Sequence, residues 1–102
     1  MVKDRLQLHD ELVELLGKPN VYFQPPSSIT LKFPCIVYKL DDVGSVRADS
    51  RRYLNTKRYL VTIIDKDPDT DLYEKLLDFP YSAFEDHFVV DNLNHYICSI
   101  YY

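Results

Sequence analysis

Glycine is scarce in this chain, where only Gly17 and Gly44 occur among 102 residues. Phosphate-binding loops and dinucleotide-binding turns need several closely spaced glycines, so the sequence excludes both kinds of nucleotide site. Tryptophan is absent, while tyrosine occurs nine times and phenylalanine five times. Because tyrosine joins a large apolar ring to a polar hydroxyl, this composition suits strands that are half core and half contact surface.

Cysteines and long apolar runs are also sparse. Cys35 and Cys98 both lie in predicted strands, so we expect reduced, buried thiols, with a disulfide as the alternative. No apolar run approaches the roughly 20 residues of a membrane-spanning helix, and we expect no membrane partner. The charged start of the chain predicts no signal peptide.

The segment 53–71 organises the rest of the sequence. Apolar or β-branched side chains fill both alternating sets of positions from 59 to 64, which predicts a central strand buried on both faces. Asp67 and Pro68 then suit the N-cap and first position of a helix, and Asp69 and Asp71 suit its positive first turn.

The remaining pattern predicts helices over 2–16 and 68–78, and strands over 21–23, 35–40, 55–65, 83–90 and 94–102. Gly17 suits the left-handed position that ends the first helix. We expect residues 41–54 to form a long loop and residues 91–93 to form a turn. The order α-β-β-loop-β-α-β-β predicts one α+β domain over 1–102, a mainly antiparallel sheet of about four to five strands flanked by two helices.

No catalytic, metal-binding or cofactor site is predicted, and we expect no enzyme. The spaced aspartates of 65–71 resemble a calcium loop, but Thr70 stands where that loop needs glycine and Leu76 where it needs glutamate. His95 and Cys98 are an odd number of positions apart on a strand, so their side chains should lie on opposite faces and cannot form a catalytic pair. Adjacent Glu85 and Asp86 face apart for the same reason.

Charge is divided unevenly along the chain. Residues 1–64 carry ten Lys/Arg and seven Asp/Glu, whereas residues 65–102 carry two and nine. Such polarity suits head-to-tail packing of identical subunits, although a solvated surface with uneven charge explains it equally well. The densest basic segment, 47–58, has five basic residues and one acid. With its tyrosines, this segment could instead be a nucleic-acid surface, against the acidic pI of the whole chain, near 5.2.

Four phrases carry a family resemblance: VYFQPP at 21–26, FPCIVYKLDD at 33–42, the run from ADSRRY to DKDPDTDL at 48–72, and DNLNHYICSIYY at 91–102. In this order they resemble the small tail terminator, or tail-completion, proteins of long-tailed bacteriophages. Related sequences include minor capsid and head–tail joining proteins.

The resemblance implies a virion protein of the phage neck, assembled in the bacterial cytoplasm, which works without catalysis. It implies an α+β subunit of a ring, commonly a hexamer, that caps the head-proximal end of the tail tube and stops tube polymerisation. The partners would be other copies of the chain, the major tail tube protein and the head connector. Genomic DNA would pass through the lumen without sequence-specific binding, and an acidic lumen would repel its phosphates. A connector-side neck adaptor is the structural alternative.

For such a ring, we expect the basic segment of one subunit to contact acids of its neighbour. The candidate interface residues are Arg47, Arg51, Arg52, Tyr53, Lys57 and Arg58 on the basic side, and Asp65, Asp67, Asp69, Glu85 and Asp86 on the acidic side.

Overall fold

The computed structural model of the chain describes the backbone of residues 4–48 and 51–102, and the side chains of residues 4–42 and 57–102. These residues form an α+β fold, as predicted. In chain order the elements are α1 (Arg5–Leu16), β1 (Val21–Phe23), β2 (Cys35–Ala48), β3 (Arg51–Asp65), α2 (Leu72–Leu77), β4 (Ser82–Val90) and β5 (Leu93–Tyr101).

Within the described residues, the five strands form one sheet in the spatial order β1-β2-β3-β5-β4. β1 runs parallel to β2, and the other three neighbouring pairs are antiparallel. The sheet is therefore mixed, with one parallel pair that the sequence reading did not distinguish. A parallel pair needs a crossover, and the connection between residues 24 and 34 provides it.

Helix α1 packs its leucine stripe against the sheet. Leu8 and Leu12 are fully buried, and Leu16 nearly so. The helix begins later than predicted because Asp4 is the N-cap: its carboxylate accepts the Gln7 N–H, and the Gln7 side chain accepts the Asp4 N–H. Positions 2 and 3 of the predicted helix lie outside the described residues. Gly17 ends the helix with φ 75°, as predicted.

The prediction that the second helix begins at Pro68 is wrong, because α2 starts at Leu72 and has only six residues. The Asp65 carboxylate accepts the Asp67 N–H at 3.0 Å, and the Asp67 carboxylate accepts the Asp69 N–H at 2.9 Å. Each aspartate thus folds the backbone two residues ahead into an Asx-turn. The Asp67 side chain forms a turn here and does not cap a helix.

The sheet buries one face fully and leaves the other partly open, so the predicted burial of the central strand on both faces holds on the second face only at Ile64, which is 7% exposed. Tyr59, Val61 and Ile63 of β3 lie in the core with at most 3% exposure. Leu60 and Thr62, on the opposite face, are only half-buried. The reason is that α1 and α2 both pack on the first face, where their buried leucines join one hydrophobic cluster.

The predicted loop over residues 41–54 is also wrong. β2 and β3 stay paired as an antiparallel ribbon, with register from Val43 opposite Lys57 to Ala48 opposite Arg51. Valine and tyrosine in this stretch favour extended backbone, which the charges and Gly44 obscured in the sequence. β5 pairs with β3 only from Arg58 onward, and β1 pairs with β2 only at residues 36–38. Residues 42–48 and 51–57 therefore form a two-stranded arm beyond the sheet.

The C-terminal hairpin matches its prediction to within one residue at each strand end. Val90 pairs with Leu93, and the two residues between them, Asp91 and Asn92, have φ of 53° and 62°. Positive φ at both central positions is the geometry of a type I′ turn, which follows the right-handed twist of two antiparallel strands.

Candidate functional site

Arg58 lies where the arm leaves the sheet, and its partners belong to its own chain. Its guanidinium contacts the Asp41 carboxylate at 2.8 Å and the Glu85 carboxylate at 3.5 Å. Glu85 also accepts a hydrogen bond from the Ser99 hydroxyl at 2.8 Å. Arg58 was predicted to contact acids of a neighbouring subunit, and Glu85 to contact its basic residues. The structure brings the two side chains together within one subunit. They join β2, β3, β4 and β5 at the base of the arm.

The three aspartates of 65–69 lie at the other end of β3. They are at least partly exposed, and Asp65 and Asp67 hold the turns described above. β3 rises by about 3.3 Å per residue, so Asp65 and Arg58 are separated by about 23 Å. The arm points away from these aspartates and cannot reach them within one subunit. A basic end and an acidic end therefore stand at opposite ends of the same strand.

The arm concentrates positive charge on a ribbon without a third strand. Lys57 is exposed, while the side chains of Arg47, Arg51, Arg52 and Tyr53 lie outside the described residues. The backbone register places Arg47 opposite Arg52.

Strand β4 presents the most exposed apolar side chains of the described sheet. It pairs with β5 alone and is the outer strand on that side. Phe84, Phe88, Val89 and Val90 are all exposed. Asp86, a predicted interface residue, is exposed among them. The sequence reading selected the two acids of this strand and missed its apolar side chains. The run of phenylalanine and valine at consecutive positions was the available signal, because it leaves apolar groups on both faces.

The open face of the sheet forms a second surface that the sequence reading missed. A shallow depression of about 480 Å³ lies there, with an apolar floor and a lysine at its side. Its lining residues are Gln24, Pro25, Val37, Tyr38, Lys39, Leu40, Leu60, Thr62 and Ile97. The assumption that β3 is covered on both sides concealed it.

Buried titratable groups in the core are engaged in packing. The Tyr38 hydroxyl lies 2.8 Å from Nδ1 of His9 and accepts a hydrogen bond from Arg5 at 3.3 Å. Burial raises the pKa of Tyr38, and the Arg5 guanidinium opposes that rise. Near the chain end, the Tyr102 hydroxyl donates to the Glu11 carboxylate, and burial together with this bond raises the pKa of Tyr102. These contacts fasten α1 to the sheet.

The two cysteines are free and buried, as expected. Burial raises the pKa of each thiol to about 11, with smaller contributions from Asp65 at Cys35 and from Glu85 at Cys98. Such thiols are poor nucleophiles at neutral pH. His95 stacks on Phe88 at 4.7 Å on the open face, while Cys98 lies in the core on the other face. The two side chains do not meet, in agreement with their spacing.

Among the described residues, no group of three or more His, Cys, Asp or Glu side chains could hold a metal ion. No helix in the described ranges has the length and apolar character needed to span a bilayer.

Comparison with known proteins assigns the chain to no family. No protein-family model matches it, and no curated protein gives a significant match. Any function must therefore be argued from the residues and surfaces of the chain.

Proposed function

We propose that this protein is a structural subunit of a long-tailed bacteriophage, which forms a ring at the head-proximal end of the tail tube. The ring stops tube polymerisation and docks the tail to the head connector. Its partners are other copies of itself, arranged as a hexamer in keeping with the family resemblance, together with the tube protein and the connector. The work is done by shape and contact, without catalysis.

The separation of charge along the sheet carries this proposal. The basic arm leaves one end of β3, and the acidic turns of 65–69 lie about 23 Å away at the other end. Opposite charges at opposite ends favour head-to-tail association, and a head-to-tail contact closes into a ring when its rotation divides a full turn. The family resemblance supplies the location of that ring in the virion.

The roles of the candidate residues follow from their positions. Arg58 and Glu85 brace the base of the arm within one subunit. The cations of the contact come from the basic segment of the sequence, namely Arg47, Arg51, Arg52 and Lys57. The acidic half of the chain faces the neighbour or the lumen, where negative charge lets DNA slide past.

Two alternatives remain for the same chain. A neck adaptor on the connector side would use the same ring and differ only in which partner it binds. A nucleic-acid-binding module is favoured by a separate observation, because the arm is a two-stranded antiparallel ribbon with arginines in both strands. Ribbons of this kind enter DNA grooves in several DNA-binding folds.

The test is assembly and location. Mass photometry of the purified protein over rising concentration should reveal closed rings that weaken as salt increases, since charged contacts are screened. Arg52→Asp should weaken assembly, whereas the matched reversal Lys18→Asp, on the exposed turn after α1, should not. Antibody labelling should place the protein at the head–tail junction of the virion. A chain that stays monomeric in the virion, or lies elsewhere, contradicts the proposal.

Two further measurements distinguish the proposed ring from the DNA-binding module and from the connector-side adaptor. A monomer that shifts duplex DNA in a gel, with the shift lost in Arg52→Asp, would favour the DNA-binding alternative. Purified ring added to polymerising tube protein should arrest tube growth. A ring that leaves tube length unchanged and binds the connector would favour the adaptor.

A further inference from the structure

The two edges of the sheet differ in how they are protected. β1, at one edge, has only three residues and leads directly to Pro25 and Pro26, which limit further pairing. β4, at the other edge, has nine residues, and every position from Ala83 to Val90 is exposed. Proteins usually blunt or cover an edge of this length, because its free N–H and C=O groups can pair with another strand.

Several side chains of β4 are apolar and exposed to water, which is unfavourable in the free subunit. Val89 is 57% exposed and Val90 49%, and Phe84 and Phe88 are exposed beside them. Past the irregularity between Phe84 and Asp86, β4 runs on in register with β5 to Val90. Within this stretch the His87 N–H donates to the Asp86 carboxylate at 2.8 Å, and an added strand would have to replace that bond. Among the described residues, the outer side of residues 86–90 pairs with no other strand.

A second β4 would bring no cation to this edge. Glu85 and Asp86 lie on β4, and no lysine or arginine occurs from residue 76 to residue 102. Two copies of the strand could therefore not neutralise each other's acids. The strand that covers this edge should instead be basic.

The arm of another copy has the required properties. Residues 51–57 of β3 pair with β2 on one side. On the other side, β5 reaches β3 only from Arg58 onward and the Tyr102 N–H donates to the Lys57 carbonyl, so the outer edge of residues 51–56 has no strand partner in the described fold. This stretch holds Arg51, Arg52 and Lys57 and no acid, whereas the β2 side of the arm holds Asp42 and Arg47 and is neutral. The outer edge of β3 thus complements β4 in both hydrogen bonding and charge.

We infer that β4 of one subunit accepts the outer edge of the β3 arm of the next, which continues the sheet from copy to copy. The inference rests on the self-assembly proposed above and specifies its lateral contact. The contact is heterologous, so repeated copies form a ring or an open helix and not a closed pair. Phe88 and Val89 are covered in the process, and Asp86 meets the cations of the arm.

The first experiment compares two exposed apolar residues. Val89→Lys places a charge on the β4 edge, and Leu6→Lys places the same charge on the outer side of α1, where Leu6 is 62% exposed. Mass photometry should find assembly of Val89→Lys weakened by about tenfold or more, a change of about 1.4 kcal/mol per tenfold. Leu6→Lys should assemble as the wild type does. Circular dichroism and thermal melting check that both variants remain folded.

The second experiment identifies the occupant by charge exchange. Asp86→Lys and Arg52→Asp should each weaken assembly, and the double variant should restore it, because the two charges meet across the contact. Double-variant assembly no better than the weaker single variant would exclude the arm as the strand that covers β4.

The outcomes separate this contact from the wider function. If rings form at the head–tail junction while Val89→Lys assembles normally, the β4 contact is wrong and the proposed function stands. If the wild type assembles through β4 but is absent from that junction, the contact stands and the phage function is wrong. A wild type that stays monomeric at all concentrations overturns both.

Discussion

The two faces of this sheet use the same strands for different purposes. On one face, Tyr38, Val61 and Cys98 lie under the helices and are buried to 3% exposure or less. On the other face, Val37, Leu60 and neighbouring residues surround an open depression. The covered face supplies most of the hydrophobic stabilisation of the monomer, while the open face contributes through Cys35 and Ile64 at one end and the β4 edge contributes little. What a strand contributes to folding therefore depends on which face carries the helices.

The sharpest way to break this comparison is to truncate one residue on each face of the same strand. Ile63→Ala removes a fully buried side chain from the core and should lower the free energy of unfolding by about 2–5 kcal/mol. Leu60→Ala, on the half-buried face, should lower it by only about 1 kcal/mol, because less apolar surface returns to water. Urea denaturation of the monomer measures both. Equal losses would contradict the asymmetry between the faces.

A second prediction uses pH and the two buried thiols. Burial raises the pKa of Cys35 and Cys98 from 9.0 to about 11, so the folded protein keeps protons that the unfolded chain has already released. The stability that this protonation gives is complete below pH 9 and is lost as pH rises from 9 towards 11. The urea midpoint should fall across that interval.

The control for the thiols is the double variant Cys35→Ala and Cys98→Ala. It should be less stable at neutral pH but should lose less stability between pH 9 and pH 10, below the range in which buried tyrosines add their own effect. A wild-type midpoint that does not change up to pH 10 would show that the thiols are not held in the core.

Local signals in the sequence predicted the elements whose ends are set by their own residues. Gly17 ends α1, and Asp91 and Asn92, within the predicted turn at 91–93, close the C-terminal hairpin. Each of these features depends on backbone geometry that neighbouring residues dictate. The start of α2 was missed because Asp67 can serve equally as an N-cap or as the first residue of an Asx-turn. Only the completed fold decides between them.

The candidate surfaces were predictable only through charge. The basic segment and the acidic half are visible in composition, and their separation along the sheet follows from strand direction. The exposure of β4 was not predictable, because a strand becomes an edge through the order β1-β2-β3-β5-β4, which links residues far apart in sequence. Likewise, no local sequence pattern predicts that both helices pack on the same face of the sheet.

A third prediction concerns the attachment of α1 to the covered face. Tyr38→Phe removes a buried hydroxyl that contacts Arg5 and His9, and leaves those two groups without this partner. The free energy of unfolding should fall by about 1–2 kcal/mol, the usual effect of losing one member of a buried hydrogen-bonded group. Tyr22→Phe, a matched change on the neighbouring strand β1, should have a smaller effect. Equal effects in the two variants would mean that the Tyr38 hydroxyl adds nothing to the docking of the helix.

The smallest expected change in the free energy of unfolding comes from removing the ion pairs of Arg58 at the base of the arm. Arg58→Gln removes contacts to Asp41 and Glu85, whose side chains are 26% and 37% exposed. Solvent screens such pairs, so the free energy of unfolding should change by less than about 1 kcal/mol, and the change should shrink at high salt. A double-mutant cycle with Glu85→Gln measures the coupling within one subunit. If Arg58→Gln instead lowers monomer stability as much as Ile63→Ala does, the base of the arm belongs to the structural core, and the division between a stabilising face and an interacting side would have to be abandoned.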